Sequence, residues 1–242
     1  MKVSMLKIDK KVQGSTMGKG PGGRFFLGLN PEHKNFAYFV ADFIRYENAH
    51  GRKVRFRPRN FDPSEALNSV PDSGSVLRPS DPRYVIHSTT LEAYEKIIQD
   101  GQLKSTSQLR KEGKVQQAIG FLPLGEPLDY LDHVMFGGFG GPGGEVVVNS
   151  HLRGKPCFDP NVPYEPQARM YFDAHKIIKD GLAVRDGTHM LKVYGALPLE
   201  GYLLRTVFAG DVTLPIGADH WTPTLFTEAA NALFYHDMEI SS

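Results

Sequence analysis

The segment 71–82, PDSGSVLRPSDP, places the strongest constraint on how this chain of 242 residues folds. Proline removes a backbone donor and interrupts both helices and central strands, so no regular element should cross a segment that holds three of them. We therefore predict a domain boundary here. The expected parts are a flexible N-terminal arm at 1–34, a small lobe and linker at 35–82, and a larger lobe at 83–242.

The arm at 1–34 is predicted from its many lysines and glycines and from the lack of a sustained apolar period. Residues 35–49 then show apolar side chains at helical spacing, which predicts an amphipathic helix. A basic strip at 51–60 follows, with five cations around Phe56. Such a strip can lie along nucleic-acid phosphates, or it can keep a strand edge solvated.

Beyond the linker, residues 84–87 predict a short strand that runs directly into a helix. Thr89 is the expected N-cap, Glu92 completes a capping box with it, and Gly101 ends the helix. A loop with six glycines at 137–144 follows later in the chain. Further strands are expected at 129–136, 145–148, 168–173, 182–185, 189–194 and 202–207, with a C-terminal helix at 224–235. The pattern predicts an α+β protein.

The composition of the chain indicates which cellular compartment the protein occupies and whether a membrane or a metal ion is an expected partner. The single cysteine, Cys157, cannot form an internal disulfide, which favours the cytoplasm or another reducing compartment. No apolar run approaches the roughly 20 residues that cross a bilayer, and the start MKVSMLKIDKK has no apolar signal-peptide core, so neither a membrane partner nor secretion is expected. The histidines show no ligand spacing, so we expect no metal.

His87 is the first candidate functional residue. A strand that ends in histidine and passes into a capped helix brings one imidazole and several backbone amides to a cleft, which suits nicotinamide riboside. His87 would bond a ribose hydroxyl, and the Ser88 backbone would pair with the carboxamide. The alternative is a histidine that only completes the packing.

Three segments carry a family resemblance. YVIHSTTLEAYEKIIQDGQLKS (84–105) resembles the opening of the catalytic lobe in RNA 2′-phosphotransferases (the KptA family) and in DarT-type ADP-ribosyltransferases, which carry His-x-Thr after a strand. DHVMF (132–136) is similar to the phosphotransferase strand that ends in His-Val-His-Leu, although Leu131 and Asp132 stand where that family has an arginine. Residues 168–203 and 36–67 are similar to its final stretch and its N-terminal lobe.

The resemblance implies an ADP-ribosyltransferase-like split β-sheet lobe, a small winged-helix-like α/β lobe, and NAD+ as co-substrate without a metal. The function implied is transfer of an RNA 2′-phosphate to NAD+. RNA is then the expected acceptor, with DNA or protein as alternatives, and the oligomeric state stays open. The resemblance assigns catalytic roles to Arg45, His87 and Arg169. The residues expected to contact NAD+ are His87, Ser88, Thr89, His133 and Tyr171.

Glu145 marks the alternative chemistry. An ADP-ribosyltransferase usually needs a carboxylate that stabilises the developing cation or activates the acceptor, and Glu145, at the predicted start of the 145–148 strand, is the best candidate. The competing interpretation is an exposed glutamate of no functional importance. Two other functions thus remain beside the phosphotransferase: a DarT-like ADP-ribosyltransferase, and an inactive module that binds ADP-ribose or RNA.

Overall fold

The N-terminal residues pair into a sheet. The computed structural model of the chain describes residues 3–20, 23–72, 74–114 and 127–240, so Ser73 of the predicted linker lies outside the described residues. Strands β1 (Val3–Ile8), β2 (Ser15–Lys19), β3 (Phe25–Leu29) and β4 (Lys53–Arg57) form a four-stranded sheet in the order β2-β3-β1-β4. β1 runs parallel to β3 and β4, and β2 pairs antiparallel with β3.

Much of the segment predicted as a flexible arm at 1–34 therefore forms strands in the described residues. Leu6, Leu27 and Leu29 are fully or almost fully buried and project from adjacent strands. They pack against Val40 and Phe43 of helix α1 (Phe36–Ala49). The apolar alternation within each strand is too short to be recognised among the surrounding lysines and glycines. The sheet is stabilised by its packing against α1, a contact that the local sequence does not reveal.

The predicted amphipathic helix is confirmed as α1, and the basic strip at 51–60 contains β4. Gly51 follows α1 with a φ of 68°, a left-handed conformation that favours glycine. Helix α2 (Ser64–Ser69) packs on α1 and leads into the linker.

The second sheet is built around the strand that carries His87. It consists of β5 (Tyr84–Thr89), β7 (His133–Gly138), β8 (Ala168–Asp173), β9 (Ala183–Val184), β10 (Leu191–Tyr194) and β12 (Leu203–Val207). Their order is β12-β8-β5-β7-β10-β9, with antiparallel pairing throughout. A separate pair joins β6 (Gln102–Lys104) to β11 (Ala196–Pro198).

The helices of this part are α3 (Leu91–Asp100), α4 (Thr106–Lys111), α5 (Gly143–Leu152), α6 (Ala174–Lys179) and α7 (Pro223–Ile240), with 3-10 turns at Leu128–Asp132 and Ala209–Asp211. The mixed α+β class is thus confirmed. The N-cap of α3 is Thr90, whose hydroxyl accepts from the Ala93 N–H at 3.2 Å. Thr89 was the wrong choice because it still pairs with Ala168 as the last residue of β5.

Two of the predicted strands have a different secondary structure, in part or completely. The segment 129–136 begins as a 3-10 turn and becomes strand only at His133. Residues 145–148 lie inside α5. The burial follows a helical spacing: Glu145, Val148 and Asn149 are buried and Val147 is exposed. Burial of this face therefore outweighs the preference of the β-branched valines for strands.

The six-stranded sheet has an apolar core on each face. Val85, Phe136 and Met170 belong to one, which α6 helps to cover. On the other face, Ile86 and Tyr171 pack with Phe226 and Phe234 of α7, while α5 lies against β5. Neighbouring residues of β5 therefore face different surroundings.

A buried lysine joins the two sheets. The Lys192 ammonium of β10 is fully buried, 2.8 Å from an Asp186 carboxylate oxygen. It lies 3.7 Å from the ring centroid of Tyr46 on α1 and 3.8 Å from that of Tyr130. The turn after Asp186 also presses on α1: Gly187 has a φ of 70°, and an added Cβ would lie 2.9 Å from Phe43 Cβ.

Replacing this lysine tests how far the two sheets depend on it. We expect Lys192→Met to lower the free energy of unfolding by about 3–5 kcal/mol, because it removes one of the two side chains, Lys192 and His189, that pair with the buried Asp186 carboxylate. Urea denaturation measures the change. The matched control is Lys96→Met, which breaks only the exposed Lys96–Glu92 pair and should cost below about 0.5 kcal/mol.

Acid titration of the same variant checks the mechanism. Asp186 is fully buried, yet the His189 and Lys192 side chains hold its pKa far below the ordinary value of 3.8. The pair therefore stabilises the fold fully above about pH 4 and less as the pH falls. Lys192→Met should show a shallower loss of stability below about pH 4 than the wild type. Equal slopes would contradict the role of this pair.

Candidate functional site

The sheet opens beside His87. β5 and β7 pair only at Val85–Gly138 and Ile86–Gly137, and the pairing ends there. β5 continues to Thr89 against β8, whereas β7 continues toward β10. The edge of β5 that faces β7 is thus unpaired by that strand from residue 87 onward, and we call this end of the β5–β7 pairing the split.

The His87 ring lies across this split. Its Nδ1 is 3.3 Å from the Met135 carbonyl oxygen, and the ring meets Phe136 edge to face. Burial lowers the pKa of His87 below its ordinary value of 6.5, although the carbonyl contact opposes this. The imidazole is therefore neutral near pH 7. A carbonyl can only accept, so the proton resides on Nδ1 and Nε2 remains an acceptor.

Ser88 points to the opposite face of the sheet, toward α5. Its hydroxyl donates to Glu145 Oε1 at 2.6 Å. The contact requires Gly144, since an added Cβ there would lie 2.5 Å from Ser88 Oγ and 2.8 Å from Ile86 Cδ1. The glycine lets α5 approach β5 closely enough for a direct hydrogen bond.

Glu145 and Arg169 form a fully buried ion pair. Arg169 Nη1 donates to Glu145 Oε2 at 2.7 Å, and neither side chain is exposed to solvent. The same carboxylate oxygen accepts from the Thr227 hydroxyl of α7 at 3.1 Å. Glu145 was expected either as an exposed residue or as a catalytic group at a strand start. The structure instead buries it in the first turn of α5.

The remaining donors of Arg169 are also used within the protein. Nε donates to the Tyr171 hydroxyl at 2.9 Å, and Nη2 donates to the Phe139 carbonyl and to Asn231 Oδ1. Tyr171 donates to Asn231 as well, at 3.0 Å. We call Ser88, Glu145, Arg169, Tyr171, Thr227 and Asn231 the polar network. Its arginine is satisfied by protein groups, and its catalytic role stays a prediction.

The other predicted residues lie apart from this network. Thr89 is half-buried at the end of β5, on the face of the sheet that His87 occupies. His133 Nδ1 is 3.1 Å from the Asp129 carbonyl, and burial together with Lys192 lowers its pKa. Arg45 Nη2 donates to the Leu67 and Val70 carbonyls at 2.8 Å, so it caps the end of α2.

The structure therefore brings Ser88, Glu145, Arg169 and Tyr171 together, sets His87 across the sheet, and separates Arg45 from both. Thr227 and Asn231 were missed by sequence reasoning. Their signal was available: they are polar residues four apart, on the face of α7 that also carries Phe226, Ala230 and Phe234. Polar groups on a buried helical face usually have a specific partner.

The comparisons give no family for this arrangement. No family model, no curated protein and no solved structure matches the chain. Within the described ranges, no group of three or more His, Cys, Asp or Glu side chains is placed to hold a metal ion. In the same ranges, none of the helices has the length and apolarity that a bilayer crossing requires.

Glu145→Gln separates a structural role of this carboxylate from a catalytic one. The change leaves the buried Arg169 charge unpaired, so we expect the free energy of unfolding to fall by about 3–5 kcal/mol, measured by urea denaturation. Glu228→Gln, at an exposed position of the same α7 that supplies Thr227, is the matched control and should change stability by less than about 0.5 kcal/mol. Unchanged stability of Glu145→Gln would contradict the structural role.

Proposed function

We propose that the chain is an NAD+-dependent transferase that moves an RNA 2′-phosphate to NAD+. The products are RNA with a 2′-hydroxyl, nicotinamide and a cyclic phosphate of ADP-ribose. The observation that carries the proposal is the split beside the neutral His87. A split sheet with a histidine on its central strand is what the resemblance to RNA 2′-phosphotransferases implies for the NAD+ site.

The chemistry required at this split is positional and electrostatic. The nicotinamide–ribose bond breaks with oxocarbenium character at ribose C1, nicotinamide leaves, and the RNA 2′-phosphate attacks that carbon. The neighbouring ribose hydroxyl then attacks the phosphorus, which breaks the bond to the RNA 2′-oxygen, releases the RNA with a 2′-hydroxyl and closes the cyclic phosphate. His87 Nε2, as an acceptor, suits a ribose hydroxyl. The unpaired edge of β5 beyond Ile86 offers main-chain groups of the kind that pair with the nicotinamide carboxamide. A neutral imidazole also avoids repelling the developing cation.

The RNA acceptor is supported by the edge strand β4. The side chains of Lys53, Arg55 and Arg57 are exposed while Val54 and Phe56 are turned inward. Alternate residues of a strand are about 6.8 Å apart, so these three cations form a regular row, and Arg59 follows in the turn after β4. None of these four forms an ion pair within the described part of the chain. Free, spaced cations are suited to a phosphate backbone.

An ADP-ribosyltransferase is the second candidate, and Glu145 is the observation that favours it. Its carboxylate is 2.6 Å from the hydroxyl of Ser88, the residue directly after His87. A carboxylate so near the histidine strand is what that chemistry uses. Its complete burial and its pairing with Arg169 weigh against this candidate, because neither group reaches solvent in this arrangement.

His87→Ala tests the proposed site. Purified protein is incubated with labelled NAD+ and 2′-phosphorylated RNA, and we expect turnover to fall by roughly 100-fold as the ribose loses its positioning contact. The melting temperature, measured in parallel, shows that the variant is folded. His151→Ala, at an exposed histidine of α5, is the matched control and should retain full activity.

The products of the same incubation decide between the candidates. Cyclic ADP-ribose phosphate supports the phosphotransferase, and a labelled acceptor supports the ADP-ribosyltransferase. If neither product forms although NAD+ or RNA binds, the chain is a binding module and the catalytic proposal is wrong.

Removing the row of cations on β4 tests the RNA surface. In the wild type, affinity for single-stranded RNA should fall steeply with salt. In Arg55→Gln/Arg57→Gln/Arg59→Gln, the slope of log affinity against log salt should decrease by about 0.7 for each phosphate that the protein no longer neutralises. Fluorescence anisotropy at several salt concentrations measures this.

A variant with three exposed cations exchanged elsewhere, Arg110→Gln/Lys111→Gln/Lys155→Gln, is the control and should keep the wild-type slope. Identical slopes for both triple variants would favour the alternative, a strand edge that is only kept solvated by charge.

A further inference from the structure

Three arginines from separate parts of the chain line one small cavity. Arg45 comes from α1, Arg78 from the 71–82 segment, and Arg185 directly follows β9. Asp42 and Asp72 complete the polar lining of a space of about 100 Å³. By this measure one water molecule needs about 10–15 Å³, so the space holds several waters or one phosphate group.

Arg78 has a buried donor that lacks an acceptor. Its side chain is 5% exposed, with Nη1 donating to Asp42 at 2.6 Å and Nη2 donating to the Pro71 carbonyl at 3.0 Å. Nε forms no hydrogen bond within the described ranges. A buried guanidinium N–H without an acceptor is costly, so the Asp42 and Pro71 contacts leave the hydrogen-bonding capacity of this guanidinium incompletely used.

The other two arginines are held by main-chain carbonyls. Arg45 donates to carbonyls at the end of α2, while Arg185 donates to those of Gly74 and Val76 and to the Asp81 carboxylate. These contacts fix the guanidinium groups before any ligand arrives. A preorganised set of cations loses little conformational entropy on binding an anion.

The acidic groups leave room for an anion. Asp81 is engaged with Arg185, and Asp42 with Arg78. Burial also raises the pKa of Asp42, which favours the uncharged carboxyl, although the contact with Arg78 opposes this. Asp72 is the loosest partner: its side chain is 83% exposed and 3.8 Å from Arg45 Nε. An incoming oxyanion replaces this one weak contact.

We infer that Arg45, Arg78 and Arg185 form a binding site for a phosphate group, separate from the site at His87. β9 is three strands away from β5 in the sheet, through β7 and β10. At about 4.8 Å for each spacing this is roughly 14 Å. The group bound here is therefore a different phosphate from the one that reacts at His87. If the proposed function holds, it is a flanking phosphate of the RNA, and Arg45 positions RNA instead of taking part in the reaction.

Inorganic phosphate is the first probe, titrated into the full chain by calorimetry at constant ionic strength. Arg78→Gln should weaken binding by at least about tenfold, because it removes a charge-assisted donor. Arg110→Gln, at an exposed position of α4, is the matched control and should bind phosphate like the wild type. No phosphate binding by the wild type, or equal affinities for the two variants, would overturn the inference.

Asp72→Asn provides a second test of the site that remains decisive if Arg78→Gln does not fold. The Asp72 side chain is exposed, so the variant should fold, and loss of its competing carboxylate should tighten phosphate binding several-fold. Unchanged or weaker binding would count against the site. His87→Ala should bind phosphate with wild-type affinity, so the site can stand even if the proposed transferase activity fails.

A short single-stranded RNA is the second probe, and it identifies the source of the phosphate. A parallel loss of RNA affinity and phosphate affinity in Arg78→Gln assigns the site to an RNA phosphate. Loss of phosphate affinity alone assigns it to a free phosphate or a small phosphorylated molecule.

Discussion

The packing of α1 against the six-stranded sheet centres on the burial of one ammonium group. Lys192 belongs to the six-stranded sheet, but the faces of its aromatic enclosure come from Tyr46 of α1 and from Tyr130 before β7. Asp186 neutralises the charge. A buried lysine is costly unless paired and enclosed, so the four groups must assemble together. The position of α1 against β10, and with it the arginine cavity at the end of β9, follows from that assembly.

Local signals predicted most elements of the larger part. The strand before His87, the helix that Gly101 ends and the 168–173 strand all carry strong periodicity or caps within a few residues. β1 and β3 were not predicted because Leu6 and Leu27 become core residues only through their contact with α1, which is distant from them in sequence. Residues 145–148 were assigned to a strand because valine favours strands, whereas Gly144 and the contact with Ser88 select a helix at this place.

The candidate site was predictable in its residue types but not in its geometry. His87, Ser88, Glu145 and Arg169 were identified, yet the alternation of β5 sends His87 and Ser88 to opposite faces. The sequence could not show that Glu145 and Arg169 neutralise each other, because their pairing needs α5 and β8 to meet. A split sheet was implied only by the family resemblance, because strand pairing leaves no mark on composition.

The Lys192 enclosure also has an evolutionary consequence. A chain that exchanges the lysine for an apolar residue leaves a buried carboxylate at position 186, and one that exchanges Asp186 leaves a buried cation. Either single step passes through a poorly folded intermediate. Positions 186 and 192 should therefore change together among descendants of this chain. Substitutions of the aromatic residues at 46 and 130 should be tolerated only after both positions have changed. Gly187, pressed against α1, should be the last of this group to vary.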